Sequence, residues 1–564
     1  MPEPTTDRTP EVDPELSVII PTHNVRPWIS ETLSSVLAQD VDGMEVILVD
    51  DHSTDGTVEL VEKIIGDDPR ATLVRAVTHG GGSARNEGVR RARGRYIAFA
   101  DGDDIVPADA YRAMLESAHR TGSQVVVGDY MKFAPASIWH PTASMEAFAT
   151  AVERVTLTDI PTLIFSRPCW NKAFDRQFWL DQRISFPDVA RSNDIVPMVT
   201  AYVNARSIDV IEDVVYLYRD RPGGTSMSAK TSSSAAFVSY LTQEMICAGL
   251  VEGVKDNQLS ARYASLIYDR DGFFHARKFL SAWQQSGDED TEIATLVDSL
   301  LSKCGLAPRW IDPRKRMTMT LLREGEFLAA RAAAQTVDGG EWQEIEGATR
   351  LRGWSELLRA MQAKPDLLAG LEQSVASHVL SALGSVRLST HEAEEQWLEL
   401  SERAVSALGD LARVRIPGMG SRESVRRRRA FDGKVSAIFG GDSLRMHGWG
   451  SSTDGTPVLW SIGGILNPTH LTWRETDEGM VWDAQFSVSR LPRGVEVQPA
   501  FAFSDGTVVG ARCEAEIPEY RRMENVLYEQ DAQWVRIERR RHWLVRAPRR
   551  ALIIAVRALR SLRG

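Results

Sequence analysis

From Leu16 to about residue 130, short apolar runs rich in β-branched residues alternate with stretches of helical spacing. This alternation limits the fold more than any other feature of the chain. Leu16–Ile20, Glu45–Val49, Ala71–Arg75, Arg95–Ala100 and Gln124–Val127 read as strands. Trp28–Ala38, Thr57–Ile65, Ala84–Ala92 and Ala108–Arg120 read as helices. Buried strands separated by helices predict a mostly parallel α/β sheet, and such sheets bind ligands at the carboxyl ends of their strands. Each of the first four strands runs into a polar or Gly-bearing loop there. They are Pro21-Thr22-His23-Asn24, Asp50-Asp51-His52-Ser53-Thr54-Asp55-Gly56, Gly80-Gly81-Gly82-Ser83-Ala84-Arg85-Asn86 and Asp101-Gly102-Asp103-Asp104. Any one of these reads as a turn or a helix cap. Four in succession read as a site.

The 564 residues allow roughly three or four domains. With 43% hydrophobic and 25% charged residues, the chain is globular in composition. A disordered leader is expected over 1–15 and an α/β domain over 16–230. A helical domain should follow over 231–416, where Ala, Leu, Arg and Glu dominate, then a basic linker over 417–430. Short strands punctuated by turn residues predict a small β-sandwich over 431–518, and 519–564 reads as a basic amphipathic tail. The net charge of −11 argues against nucleic acid as a partner of the body. The last thirty residues, with ten Arg against one Glu, run the other way. The acidic, Pro-rich leader is not a secretory signal, and the longest apolar runs of about six residues are far short of a bilayer span. Four scattered cysteines suit a reducing compartment. Together these features place the chain in the cytoplasm, peripheral to the inner face of the cell membrane.

The segments SVIIPTHN, VILVDDHSTDGT, GGGSARNEGVRRARGRYIAFADGDD and the later NDIVPMVTAYVNA…YLYRDRPGGTS resemble glycosyltransferase family 2, which has the GT-A fold. The resemblance covers residues 16 to about 230. It implies transfer of a sugar from a nucleotide-diphosphate sugar, taken as a UDP-sugar, to an acceptor hydroxyl, with inversion and with Mn2+ or Mg2+. Carried over residue by residue, it puts Asp103 on the metal and Asp101 near the ribose or metal, spaced by Gly102. Asp51 faces the nucleobase, while Asp50 is structural. Pro21, Thr22 and Asn24 line the nucleoside, and Arg85 and Asn86 the diphosphate and base pocket. Asp104 is expected to cap the helix near Ala108. His23 stands where the family commonly has Tyr and His79 where it often has Asn, and neither receives a catalytic role.

For the acceptor, the resemblance makes Asp194 the general base, in the place of a Glu-Asp pair whose first member is Asn193 here. The competing reading of Asp194 is an N-cap for Ile195–Val203. Trp170 reads as an acceptor platform or as core. Arg221, with Arg219 and Gly223-Gly224-Thr225-Ser226, reads as a cover for the diphosphate or as a plain connector.

The domain order resembles bacterial cell-wall polymer transferases of the teichoic-acid type, which implies homo-oligomers through the C-terminal domains. The expected acceptor is then a glycan, a polyol-phosphate polymer or a lipid-linked glycan. Trp449, Trp460, Trp473 and Trp482 read as sandwich core. Residues 549–560 read as a basic helix on an anionic membrane surface, against a solvated helix or one docked on the acidic body. Two other functions compete: a non-catalytic nucleotide-sugar or carbohydrate-binding scaffold, and a nucleotidyltransferase on a related fold.

Overall fold

The first apolar run becomes β1 (Leu16–Thr22), whose Leu16, Val18, Ile19 and Ile20 are fully buried. Each such side chain contributes about 1.5–3 kcal/mol by leaving water. β1 pairs in parallel with β2 (Met44–Asp50) on one side and β4 (Tyr96–Phe99) on the other, and β3 (Ala71–Arg75) extends the sheet beyond β2. The connections are α1 (Ile29–Leu37), α2 (Thr57–Ile65) and α3 (Gly81–Arg91). In this computed structural model the described residues are 13–539, apart from 190–191, 222–231, 285–286, 338–346, 365–370, 386–389, 410–432, 440–442, 462–463, 478, 491–495, 505–507, 514–525 and 532–533.

α3 starts at Gly81, earlier than the expected Ala84, because Gly81, Gly82 and Ser83 form its first turn. Its Gly88 lies directly against Ile19 of β1, where a Cβ would overlap the isoleucine side chain. That close approach seats the helix on the sheet.

After β4 come α4 (Ala110–Thr121), β5 (Val125–Ala134), β6 (Ser137–Trp139), β7 (Val152–Val155), β8 (Lys172–Asp175), α5 (Arg176–Asp181), α6 (Ile195–Asn204) and β9 (Ile208–Arg219). The strand order is β3-β2-β1-β4-β8-β5-β9-β7, with β6 paired to β5. β8 is antiparallel to both β4 and β5, so the parallel run is interrupted once before β5 and β9 resume it. Because β1, β2, β3 and β4 are parallel, all four of their C-terminal loops open at one edge of the sheet.

The chain divides into two compact units, Met1–Gly325 and Glu326–Gly564. The expected helical stretch is real, but the division falls inside it. α7 (Ser234–Val254), α8 (Asn257–Asp269), α9 (Asp271–Ala282), α10 (Gly287–Cys304) and α11 (Pro313–Arg323) belong to the first unit. α7 is the one described helix long and apolar enough to cross a bilayer by length and composition. Its fully buried Glu244 pairs with Arg167 at 2.5 Å and accepts from Tyr263 at 2.6 Å, and Phe237 stacks on Phe279 of α9. These are the contacts of a core helix.

The second unit opens with helices Phe327–Gln335, Gly347–Ala363, Glu372–Ser385 and His391–Leu408. Two sheets follow, one of five strands and one of six, and Trp482 of the first meets Phe501 of the second edge to face at 5.7 Å. Of the four tryptophans expected in this core, Trp482 is buried, while Trp449 and Trp473 are half-buried. The Trp460 side chain lies outside the described residues. Part of the expected tail is strand: Val526–Asp531 and Trp534–Arg539 form a hairpin whose second arm pairs with Glu496–Ala502. Val535 and Ile537, with Arg536 between them and Glu538 after, give the period of two of a strand. The expected membrane helix over 549–560, the leader over 1–12 and the linker over 417–430 lie outside the described residues.

Candidate active site

The loop after β4 gathers three carboxylates among three guanidinium groups. Arg85, on α3, donates through Nη2 to Asp101 and through Nη1 to Asn193 Oδ1 at 3.0 Å. Burial opposes its charge, but Asp101 and Asp194 more than compensate, so Arg85 is held protonated more firmly than usual. Arg221 Nε donates to Asp103 Oδ2 at 2.5 Å, and its guanidinium lies over Trp28, 4.3 Å from the ring centre. Arg219 Nε donates to the Asp103 carbonyl at 2.7 Å. Gly102 sits where a Cβ would come within 3.1 Å of Val25 and 3.3 Å of Thr22, so this loop lies tight against the loop after β1.

Asp104 does not cap α4, whose N-cap position is held by Asp109. Asp104 is 1% exposed, takes the Arg219 amide at 2.7 Å and accepts from the Tyr216 hydroxyl at 3.0 Å. Tyr216 in turn accepts from the Asp101 amide at 2.8 Å. Burial, with Asp103 and Asp101 nearby, raises the Asp104 carboxyl well above its ordinary range. Burial is also the main cause of the upward shift of Asp103, against which Arg221 works.

The two aspartates that open the loop after β2 are held by amides, a hydroxyl and histidines. Asp50 accepts from the Thr22 hydroxyl at 3.3 Å and the Ser53 amide at 3.0 Å. Asp51 Oδ2 accepts from the Gly80 amide at 2.8 Å, and its Oδ1 lies 3.3 Å from Nδ1 of both His52 and His79. The Thr22 carbonyl accepts from the Asp51 amide, and Pro21 lies in β1 opposite Val49. Asn24, with a φ of 51°, presents its amide to Ser53 Oγ at 3.0 Å and accepts from the Thr54 amide at 2.9 Å. Thr22 and Asn24 thus tie the loop after β1 to the loop after β2.

Asn193 and Asp194 precede α6. Asp194 occupies the N-cap position, yet its side chain makes no capping hydrogen bond. Burial pushes its carboxyl upward, with Arg85 opposing that shift. Asn86 holds the backbone of Phe186 at both ends, donating to its carbonyl at 2.8 Å and accepting from its amide at 2.9 Å, so it ties that segment to α3. Trp170 is 6% exposed, stacked on Tyr216 at 4.3 Å and edge-on to Tyr130 at 4.8 Å, which makes it part of the aromatic core. Next to it, Asn171 donates to the Gly128 carbonyl at 2.6 Å. Lys172 is fully buried, donates to the Pro168 carbonyl at 2.5 Å, and is pushed down to about 7 by burial.

The guanidinium pairs engage Asp101 Oδ1 and Asp103 Oδ2, leaving one further oxygen on each. Hard oxygens on a charged, partly open loop fit a Mg2+- or Mn2+-type cation. The segment Gly223-Gly224-Thr225-Ser226 lies outside the described residues. Sequence reading missed Tyr216, which ties Asp101 to Asp104; the YLYR segment carried it, but nothing in its spacing announced the bond.

Residues 17–170 match the family model described as glycosyl transferase family 2. Among relatives, the uncharacterized glycosyltransferase EpsJ of Bacillus subtilis is 27% identical over 213 residues, covering 37% of this chain and 62% of EpsJ. Glycosyltransferase GlyG of Streptococcus pneumoniae is 25% identical, covering 45% of this chain and 87% of its own. The poly(ribitol-phosphate) beta-N-acetylglucosaminyltransferase TarS of Staphylococcus aureus is 28% identical over 257 residues, covering 44% and 43%. A crystal structure of TarS 1-349 with UDP-GlcNAc aligns with a TM-score of 0.49 and 21% identity, over 59% of this chain and 94% of that one. The alignments thus take in less than two thirds of EpsJ and less than half of TarS. Residues 17–170 are a glycosyl transferase family 2 domain.

Proposed function

We propose that this protein is a metal-dependent, inverting glycosyltransferase that moves a sugar from a UDP-sugar to a hydroxyl of a cell-envelope polymer or lipid-linked glycan. The observation that carries this reading is the meeting, at one sheet edge, of Asp51, the Asp101–Asp103 loop and the Arg85–Asn193 contact beside Asp194. Asp51 is the group for the nucleobase, because an ionised carboxylate held by one backbone amide still accepts from a base N–H. Arg85 and Arg221 face the diphosphate. Asp101 and Asp103 would hold a Mn2+ or Mg2+ ion, whose charge offsets that of the departing diphosphate.

Asp194 takes the proton from the acceptor hydroxyl. It is free of the cap bond, and a carboxyl raised by burial is a stronger base than one in water. Arg85, close to both Asp101 and Asn193, links the donor half to the acceptor half. Work on a ribitol-phosphate-like polymer is the acceptor reading that the TarS similarity favours. Attachment to an anionic membrane through the tail, a cytoplasmic position and self-association through the second unit complete the proposal.

The test is a panel of UDP-sugars with polyol-phosphate and lipid-linked acceptors, in Mn2+ or Mg2+. Release of UDP together with a glycosylated acceptor is expected. Donor binding without UDP release across the panel would make the protein a scaffold.

A further inference from the structure

We infer that Asp51, His52 and His79 form a second metal site, selective for a zinc-type dication and separate from the Asp101–Asp103 oxygen pair. The ligand atoms of the three residues lie within 4.8 Å of one another. Both Nδ1 atoms are 3.3 Å from the same oxygen, Asp51 Oδ1. Charge-assisted N–H···O bonds run at about 2.7–2.9 Å, so at 3.3 Å these are poor hydrogen bonds. The distance suits a shared ion better: tetrahedral bonds of about 2.0–2.1 Å put neighbouring ligand atoms about 3.3–3.4 Å apart. The carboxylate is also fixed from behind, because Asp51 Oδ2 accepts from the Gly80 amide at 2.8 Å, as outer partners of metal ligands do.

His52 and His79 stand face to face, 3.9 Å between ring centres and tilted by 34°. That is closer than two imidazoles bound in-plane to one tetrahedral ion, so the exposed rings must swing apart as the ion enters. Their side chains are 42% and 74% exposed, which leaves the fourth position open to water and an entry path for the ion. His23 is outside the set, since its Nδ1 lies 2.6 Å from the Asp51 carbonyl. Two imidazoles and one carboxylate favour zinc, cobalt or nickel over magnesium. The consequence rests on the proposed role of Asp51. A dication on Asp51 Oδ1 would compete with the nucleobase for the same carboxylate, so a zinc-type ion would weaken donor binding.

Titrating the metal-free full chain with Co2+ tests this. A tetrahedral site gives an intense visible band, whereas an octahedral oxygen site gives only weak absorption. One equivalent of Co2+ should produce the band, Zn2+ should erase it, and excess Mg2+ should leave it. His79→Ala and His52→Ala should each weaken Co2+ binding at least tenfold, while Asp103→Asn should keep the band. The melting temperature of each variant controls for folding, and the exposed His79 makes that substitution the safer one. No intense band, or a band unchanged in His79→Ala, would overturn the site. Adding UDP to the Co2+ form should bleach the band. A band that UDP leaves intact would keep the site and remove Asp51 from the nucleobase.

Discussion

The loops after β2 and β4 leave the same sheet edge, and each carries adjacent aspartates, yet the protein neutralises them in opposite ways. Asp50 and Asp51 are held by the Gly80 and Ser53 amides, the Thr22 hydroxyl and histidines. Among the described residues, no guanidinium pairs with either. Asp101 and Asp103 are paired with Arg85 and Arg221, while Arg219 grips Asp104 through its own amide. With no guanidinium partner, the Asp50–Asp51 pair suits reading a neutral base under the proposed function. Cations in the second loop keep several buried carboxylates together and, under the proposed function, supply positive charge for a diphosphate. In each loop one aspartate is structural: Asp50 ties β2 to β1, and Asp104 ties the loop to β9.

The comparison breaks most visibly at Asp103. Asp103→Ala should abolish metal-supported donor binding, and Asp103→Asn should keep the loop shape yet lose most activity, because a hard cation needs the charged oxygen. Mn2+ titration with UDP-sugar present reads both. An unchanged Mn2+ affinity in Asp103→Asn would remove this loop's metal role.

Next in size is Arg85→Met, which strips the partner from a part-buried Asp101 and from Asn193. Loss of one member of a buried pair costs roughly 3–5 kcal/mol, and the partial exposure of Asp101 puts this case near the lower figure. Chemical denaturation measures it, and Arg85→Lys should recover only part, since Lys lacks the two-pronged fork. Asp51→Asn should be milder: its side-chain oxygen still accepts from Gly80, so melting should hardly move while donor affinity falls about tenfold, by the worth of a charged hydrogen bond.

The smallest effect at any one pH step is a pH dependence in Lys172 of β8, the strand paired with β4. Its folded pKa of about 7 lies below the unfolded value of 10.5. Between those limits the unfolded chain binds the extra proton, so stability rises with pH across that window, by about 1.4 kcal/mol per unit at most. Lys172→Met should flatten that rise in melting temperature measured from pH 7 to 10. An equally steep rise in the variant would assign the effect to other groups.

Three of the first four strands were legible because Leu16–Thr22, Met44–Asp50 and Tyr96–Phe99 are buried on both faces and read as apolar runs. β8 was not: four residues of mixed character, Lys172–Asp175, slip antiparallel between β4 and β5, and only tertiary packing selects them. Residue types at the site were visible, whereas their partners were not. Asn86 looked like a pocket donor and holds Phe186; Asp104 looked like a cap and binds Tyr216; Trp170, readable as sugar platform or as core, stacks on Tyr216. Each of these depends on a residue about fifty or more positions away, which spacing alone does not reveal. His52 and His79 were likewise 27 residues apart in sequence and meet only because β2 and β3 are neighbours.

The central claim is that the Asp194 carboxylate acts on the acceptor, apart from the donor loops. Asp194→Asn should therefore leave donor affinity near wild type while turnover falls by about 10²–10⁴-fold, the usual worth of a general base. Asn caps a helix nearly as well as Asp, so a residue with only a capping role would tolerate the change. Turnover and donor affinity measured on one preparation, with its melting temperature, decide the matter. A steep loss of turnover at unchanged donor affinity is the predicted result, and wild-type turnover in Asp194→Asn would contradict it.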